Sequence, residues 1–113
     1  GLLDTDGKVI HPPPIVDVPG YERSVRLLQS LAPERLLTAH YAVIEDAAVG
    51  RFLDESLAFV EQARRVVAEA ADLPLAELLS RANAELGPFT SMPNELAATL
   101  RGALREQGLE ARR

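Results

Sequence analysis

The apolar positions of this chain fall into blocks of different spacing, and prolines and glycines mark the breaks between blocks. Residues 1–20 carry no helical period. Asp4-Thr5-Asp6-Gly7 reads as a turn, Lys8-Val9-Ile10 as a short strand, and Pro12-Pro13-Pro14 as an extended path. Ile15, Val16 and Val18 surround Asp17 in an extended segment, and Pro19-Gly20 breaks the chain. From Gly20 to Leu31 the period becomes helical, with Tyr21, Val25, Leu28 and Ala32 on one stripe. Leu27 and Leu31 widen that stripe, while Glu22, Arg23, Arg26 and Gln29 face outward. Ala32-Pro33 ends this helix, because proline has no N–H to donate and restricts the residue before it.

Arg35 to Ala39 is a brief, largely apolar run of strand length, read as an interior strand. The longest element spans Ala47 to Ala71, with Asp46 as its N-cap. Within it Val49, Phe52, Ser56, Phe59, Ala63, Val66 and Ala70 step by three and four, and Leu53, Val60 and Val67 repeat every seven. So broad an apolar face requires other helices to cover it. Pro74 opens the next helix, which ends near Leu86 before Gly87-Pro88. A last helix, capped by Ser91 with Pro93 in its first turn, runs to Gln107 and is closed by Gly108. A division near Asp72 separates a mixed part, residues 1–71, from a helical extension, residues 72–113.

Composition narrows the function. The chain has 113 residues, 47% hydrophobic and 26% charged, as a globular domain requires. Its net charge of -5 disfavours general nucleic-acid binding, since no basic surplus is present to replace phosphate counterions. Arg101, Arg105, Arg112 and Arg113 form a local basic set best read as solvated. The absence of cysteine excludes disulfides, thiolate metal sites and cysteine nucleophiles, and fits a cytoplasmic location. No apolar run approaches the ~20 residues that span a bilayer, so no membrane partner is expected. The chain opens Gly1-Leu2-Leu3 without methionine, which suggests a piece of a longer chain.

Candidate chemistry centres on His40, which stands where the strand-length run ends; an imidazole there is well placed to hold a metal. One histidine cannot hold zinc, which takes three or four ligands, and the nearby Glu45 and Asp46 suit the start of the long helix better. His11 reads as a surface residue beside the prolines, and Asp4 and Asp6 as a plain turn. Ser24, Ser30, Ser56, Ser80 and Ser91 occupy helix or cap contexts without a histidine beside them. No phosphate-binding glycine loop or nucleophile elbow is present. The last two helices could form a helix-turn-helix, but Asn94, Thr99, Arg101 and Arg105 are a thin set for reading DNA.

The stretch from Asp17 to Gln62 resembles the C-terminal segment of metallo-β-lactamase-fold hydrolases, the superfamily that includes glyoxalase II. In that family a helix of form Y-x-x-S-hydrophobic-x-x-L-x-x-L precedes a proline and a short strand that delivers the final metal-binding histidine, and a long helix follows. Tyr21, Ser24, Leu27 or Leu28, Leu31, Pro33, Leu36, Leu37 and His40 occupy those places. The resemblance covers residues 1–65 well and the remainder loosely, the later helices being similar to a winged-helix-like extension. It implies the C-terminal portion of an αββα fold, here mainly α with at most one or two short strands.

It also implies His40 as a metal ligand, and an intact parent with one or two zinc ions acting on an ester, thioester, amide or phosphodiester. The His-x-His-x-Asp-His motif, the second histidine and the bridging aspartate of the family are absent and would precede Gly1. Thr38-Ala39-His40-Tyr41 replaces the family's Pro-Gly-His-Gly. The chain alone is therefore expected to hold no catalytic residues, to bind no zinc and to be inert. Its uncovered apolar helix faces are expected to drive homo-oligomer formation. The alternative is a helical interaction or regulatory module without metal chemistry, and behind it a DNA-binding domain.

Overall fold

The computed structural model describes residues 15–37, 43–86 and 93–109. Within them the protein is mainly helical: α1 (Val18–Leu31), β1 (Arg35–Leu36), β2 (Ile44–Glu45), α2 (Ala47–Ala70), α3 (Leu75–Leu86) and α4 (Pro93–Glu106). The long helix α2 is the spine, and α1, α3 and α4 all pack against it. Of the stripe expected on α2, Val49, Ser56, Phe59, Ala63, Val66 and Ala70 are buried, as are Leu53, Val60 and Val67; Phe52 is half-buried. The buried Ser56 hydroxyl donates to the Phe52 carbonyl, so it carries no unmet polar demand.

Two apolar clusters divide the interior. The larger joins Phe59, Val60, Val66, Val67 and Ala70 of α2 to Leu78 and Ala82 of α3, to Leu96, Leu100, Ala103 and Leu104 of α4, and to Ile15 and Val18. It spans both sides of the boundary near Asp72. The smaller joins Val25 of α1 to Ile44, Val49 and Leu53, with Leu28 and Leu36 beside them. Tyr21 packs against both clusters.

Helix α1 starts two residues earlier than the sequence suggests. Asp17 is its N-cap, accepting from the Gly20 N–H at 3.1 Å, and Pro19 falls in the first turn, where a missing N–H costs nothing. The helix ends where Ala32 turns into the left-handed region (φ 46°) and donates to the Gln29 carbonyl, just before Pro33. Leu27 and Leu31 do not widen the buried stripe. They are 60% and 67% exposed, because α1 meets α2 along the narrower line of Val25, Tyr21 and Leu28.

The expected interior strand is shorter and less covered than its composition implies. Among the described residues it pairs through Arg35↔Glu45 and Leu36↔Ile44, antiparallel to β2, and Leu37 beyond it is 85% exposed. Asp46 stands at the N-cap of α2 without capping it by its side chain. Its backbone adopts φ 52°, ψ -127°, and its N–H donates to the Glu34 carbonyl at 2.9 Å, extending the β1–β2 ladder. The demands of the hairpin override those of a capping conformation here.

Pro74 lies just ahead of α3, its carbonyl accepting from the Leu78 N–H. Helix α4 closes as expected at Gly108 (φ 75°), with the Gly108 N–H on the Arg105 carbonyl and the Leu109 N–H on the Leu104 carbonyl. The predicted Gly87-Pro88 stop and Ser91 cap lie outside the described residues. No helix among the described residues is long and apolar enough to cross a membrane.

Leu100 is fully buried at the junction of the helices, whereas Leu27 is largely exposed. Leu100→Ala should lower unfolding free energy by about 2–4 kcal/mol, and Leu27→Ala should change it by less than about 0.5 kcal/mol at dilutions where the chain is monomeric. Urea unfolding followed by circular dichroism measures both; equal losses would contradict this core.

Candidate functional site

The sequence directs attention to the connection between β1 and β2, which contains His40. The described residues frame that connection. The Arg35↔Glu45 and Leu36↔Ile44 pairs and the Asp46–Glu34 hydrogen bond bring its two ends together. An Arg35–Glu45 ion pair of 3.8 Å lies across the ladder, both side chains largely exposed and therefore contributing little. Ile44 and Leu36 tie the hairpin to Val25, Val49 and Leu53. His40 itself, with Thr38, Ala39 and Tyr41, lies outside the described residues, as do His11, Asp4, Asp6, Arg112 and Arg113. Among the described residues no group of three or more His, Asp or Glu is placed to hold a metal ion.

The strongest electrostatic feature was not legible in the sequence. Arg64, half-buried on α2, is held by carboxylates from three helices. Its Nε and Nη2 donate to Glu106 of α4 at 2.8 and 2.9 Å. Its Nη1 and Nη2 donate to Glu22 of α1 at 2.8 and 3.3 Å, and Nη1 also donates to Glu61 at 2.7 Å. Arg26 adds a longer contact to Glu22 at 3.6 Å. The sequence signal is slight: Arg64 follows the buried Ala63, and Glu61 is three residues away, but Glu22 and Glu106 are each 42 positions distant.

The chemistry of this cluster is mechanical. The Arg64 hydrogen bonds hold the Glu22 carboxyl below its ordinary 4.5, against the opposing effect of desolvation. The paired carboxylates in turn raise the Arg64 guanidinium further above its already high value. Glu22 is thus a tightly engaged carboxylate and a poor general base, and the cluster works as a clamp between α1, α2 and α4. A second, more exposed set joins Arg81 of α3 to Glu69 of α2 at 3.0 Å and to Glu85 at 3.1 Å.

The serines divide plainly. Ser56 is buried and bonded to the Phe52 carbonyl, Ser30 donates to the Leu27 carbonyl, Ser24 and Ser80 are exposed, and Ser91 lies outside the described residues. Of the residues weighed for DNA contact, Thr99 is fully buried and accepts from the Ile15 N–H, and Arg105 donates to the Val16 carbonyl. Asn94 and Arg101 are exposed. No family model, curated protein or solved structure matches the chain.

Because Glu22 titrates below its ordinary value, its contribution is full above about pH 4.5 and is lost as pH falls through the lowered value. The matching shift on Arg64 lies above any working pH. Arg64→Met should therefore cost about 1–2 kcal/mol near neutrality, allowing for partial exposure. The gap from wild type should narrow as pH falls below 4.5 toward the lowered value. Parallel stability curves from pH 7 to pH 3 would show that the clamp contributes no acid dependence.

Proposed function

We propose that this chain is the C-terminal part of a zinc-dependent hydrolase of the metallo-β-lactamase superfamily, with His40 as one ligand of its metal centre. The observation that supports this reading is the order of elements around His40. Helix α1 ends in a left-handed Ala32 and Pro33, strand β1 follows at once, His40 lies between β1 and β2, and the long α2 begins at Ala47. Apart from the short β2 ahead of α2, that is the order the family resemblance implies for its last ligand. The two ends of the connection are held by the ladder and by packing on α2, the kind of support a ligand-bearing segment requires.

The residues described in this chain do not by themselves make a zinc site, and a lone His40 cannot supply one. On this reading the remaining ligands lie in upstream chain and the 113 residues alone are inert. The substrate class is an ester, thioester, amide or phosphodiester, and the location cytoplasmic. The exposed Leu27 and Leu31, one turn apart on α1, form the face through which the isolated chain associates with a second copy.

The reading is tested on a chain extended upstream from Gly1. That chain should carry a His-x-His-x-Asp-His motif and bind zinc, and His40→Ala should lower its zinc content and reduce hydrolysis by about a hundredfold or more. Unchanged zinc content and activity in His40→Ala would sink the assignment. The 113-residue chain should scatter light as an oligomer, and Leu27→Lys with Leu31→Lys should make it monomeric. A wild-type monomer at high concentration would refute the association.

A further inference from the structure

We propose that α4 carries a clasp that grips the main chain entering α1, forming a strap that can open while the rest of the core stays closed. Three residues spaced along one face of α4, Thr99, Gly102 and Arg105, meet the backbone of Ile15 and Val16. The Ile15 N–H donates to the buried Thr99 hydroxyl at 3.0 Å, across 84 positions of sequence. That hydroxyl in turn donates to the Glu95 carbonyl at 3.3 Å. Arg105 Nη2 donates to the Val16 carbonyl at 3.1 Å. Between them, a Cβ on Gly102 would lie 2.7 Å from the Ile15 carbonyl oxygen and 2.8 Å from that of Val16. Those oxygens occupy the space a side chain at 102 would need, and neither can retreat like the end of a flexible side chain.

The hydrogen bonds address main-chain atoms, so the grip places little demand on side-chain identity at Val16. Val16 directs its side chain outward, 66% exposed, while Ile15 inserts into the larger cluster. Helix α1 does not depend on the clasp for its own start, because Asp17 supplies the cap. This separation distinguishes a strap from ordinary core packing. Opening it leaves α2, α3 and most of α4 in contact, but removes the support immediately ahead of the first turn of α1. Tyr21, shared by both apolar clusters, and Glu22, held by Arg64, lie in the next residues. Helix α4 thereby sets how firmly the first turns of α1 are seated. The clasp is a property of this chain alone and holds whether or not His40 binds zinc.

Amide hydrogen exchange on the 113-residue protein tests it. Thr99→Val keeps the side-chain shape but removes the acceptor. It should speed exchange at Ile15 at least tenfold and at Tyr21 and Glu22 by a smaller factor, with Val60 and Val67 unchanged. Thr99→Ser restores the hydroxyl and should return Ile15 close to wild type. Gly102→Ala should act like Thr99→Val. Should it prevent folding, Arg105→Gln, at an exposed position, gives the same readout more weakly. Unchanged Ile15 protection in Thr99→Val would overturn the clasp. An equal loss at Ile15, Val60 and Val67 in every variant would also overturn it, by showing a single cooperative unit with no separable strap.

Discussion

Covering α2 is the constraint on which the rest of this structure depends. Val60, Ala63, Val66 and Val67 are essentially inaccessible, and Phe59 and Ala70 nearly so. A buried face that wide exceeds what one neighbouring helix can shield, so α1, α3 and α4 each cover part of it. Alanines at 70, 82 and 103 take little space in the larger cluster, while Leu78, Leu100 and Leu104 fill it. The apolar free energy is concentrated here, at about 1.5–3 kcal/mol for each large side chain removed from water.

Helix α1 is held differently along its length. Its later part sits on the smaller cluster with the β hairpin; the main chain just ahead of it is held by the Thr99 and Arg105 side chains of α4, and Glu22 is joined to α4 through Arg64. Arg64 reaches Glu22 and Glu106 from one guanidinium, so a planar fork does what two separate lysines would do less specifically. These polar ties add directional bonds to a packing interaction that is itself non-directional. Because Tyr21 touches both clusters, the seating of α1 couples the larger core to the hairpin that frames the His40 connection.

How much was legible from residues alone varies with the range of the interaction. The α2 stripe is legible almost position by position, since a helical period repeated over 24 residues leaves little ambiguity. The Ala32-Pro33 break and the Gly108 cap were likewise local events with local signals. The first turn of α1 is less legible, because Pro19 has the look of a breaker while the Asp17 cap places it inside the helix. Asp46 stands at the N-cap of α2 as its place in the sequence indicates, but strand β2 and the lack of a side-chain capping bond at Asp46 are not legible, because both depend on pairing with residues 34–36. For the candidate site, the position of His40 within the order of elements was legible, but the charged clamp around Arg64 was not.

Sequence alone therefore determined the helical class, the length of the spine, the face it buries and the place of His40 between a short strand and a long helix. Periodicity and chain-breaking residues act within a few positions, where covalent geometry limits the choices. Only the tertiary structure decided that Leu27 and Leu31 face outward, that Thr99 and Arg105 hold the main chain of Ile15 and Val16, and that Glu22 meets Glu106 through Arg64. Each of those joins residues far apart in sequence. Their contact is settled by how the helices pack around α2, which no local pattern of residues can express.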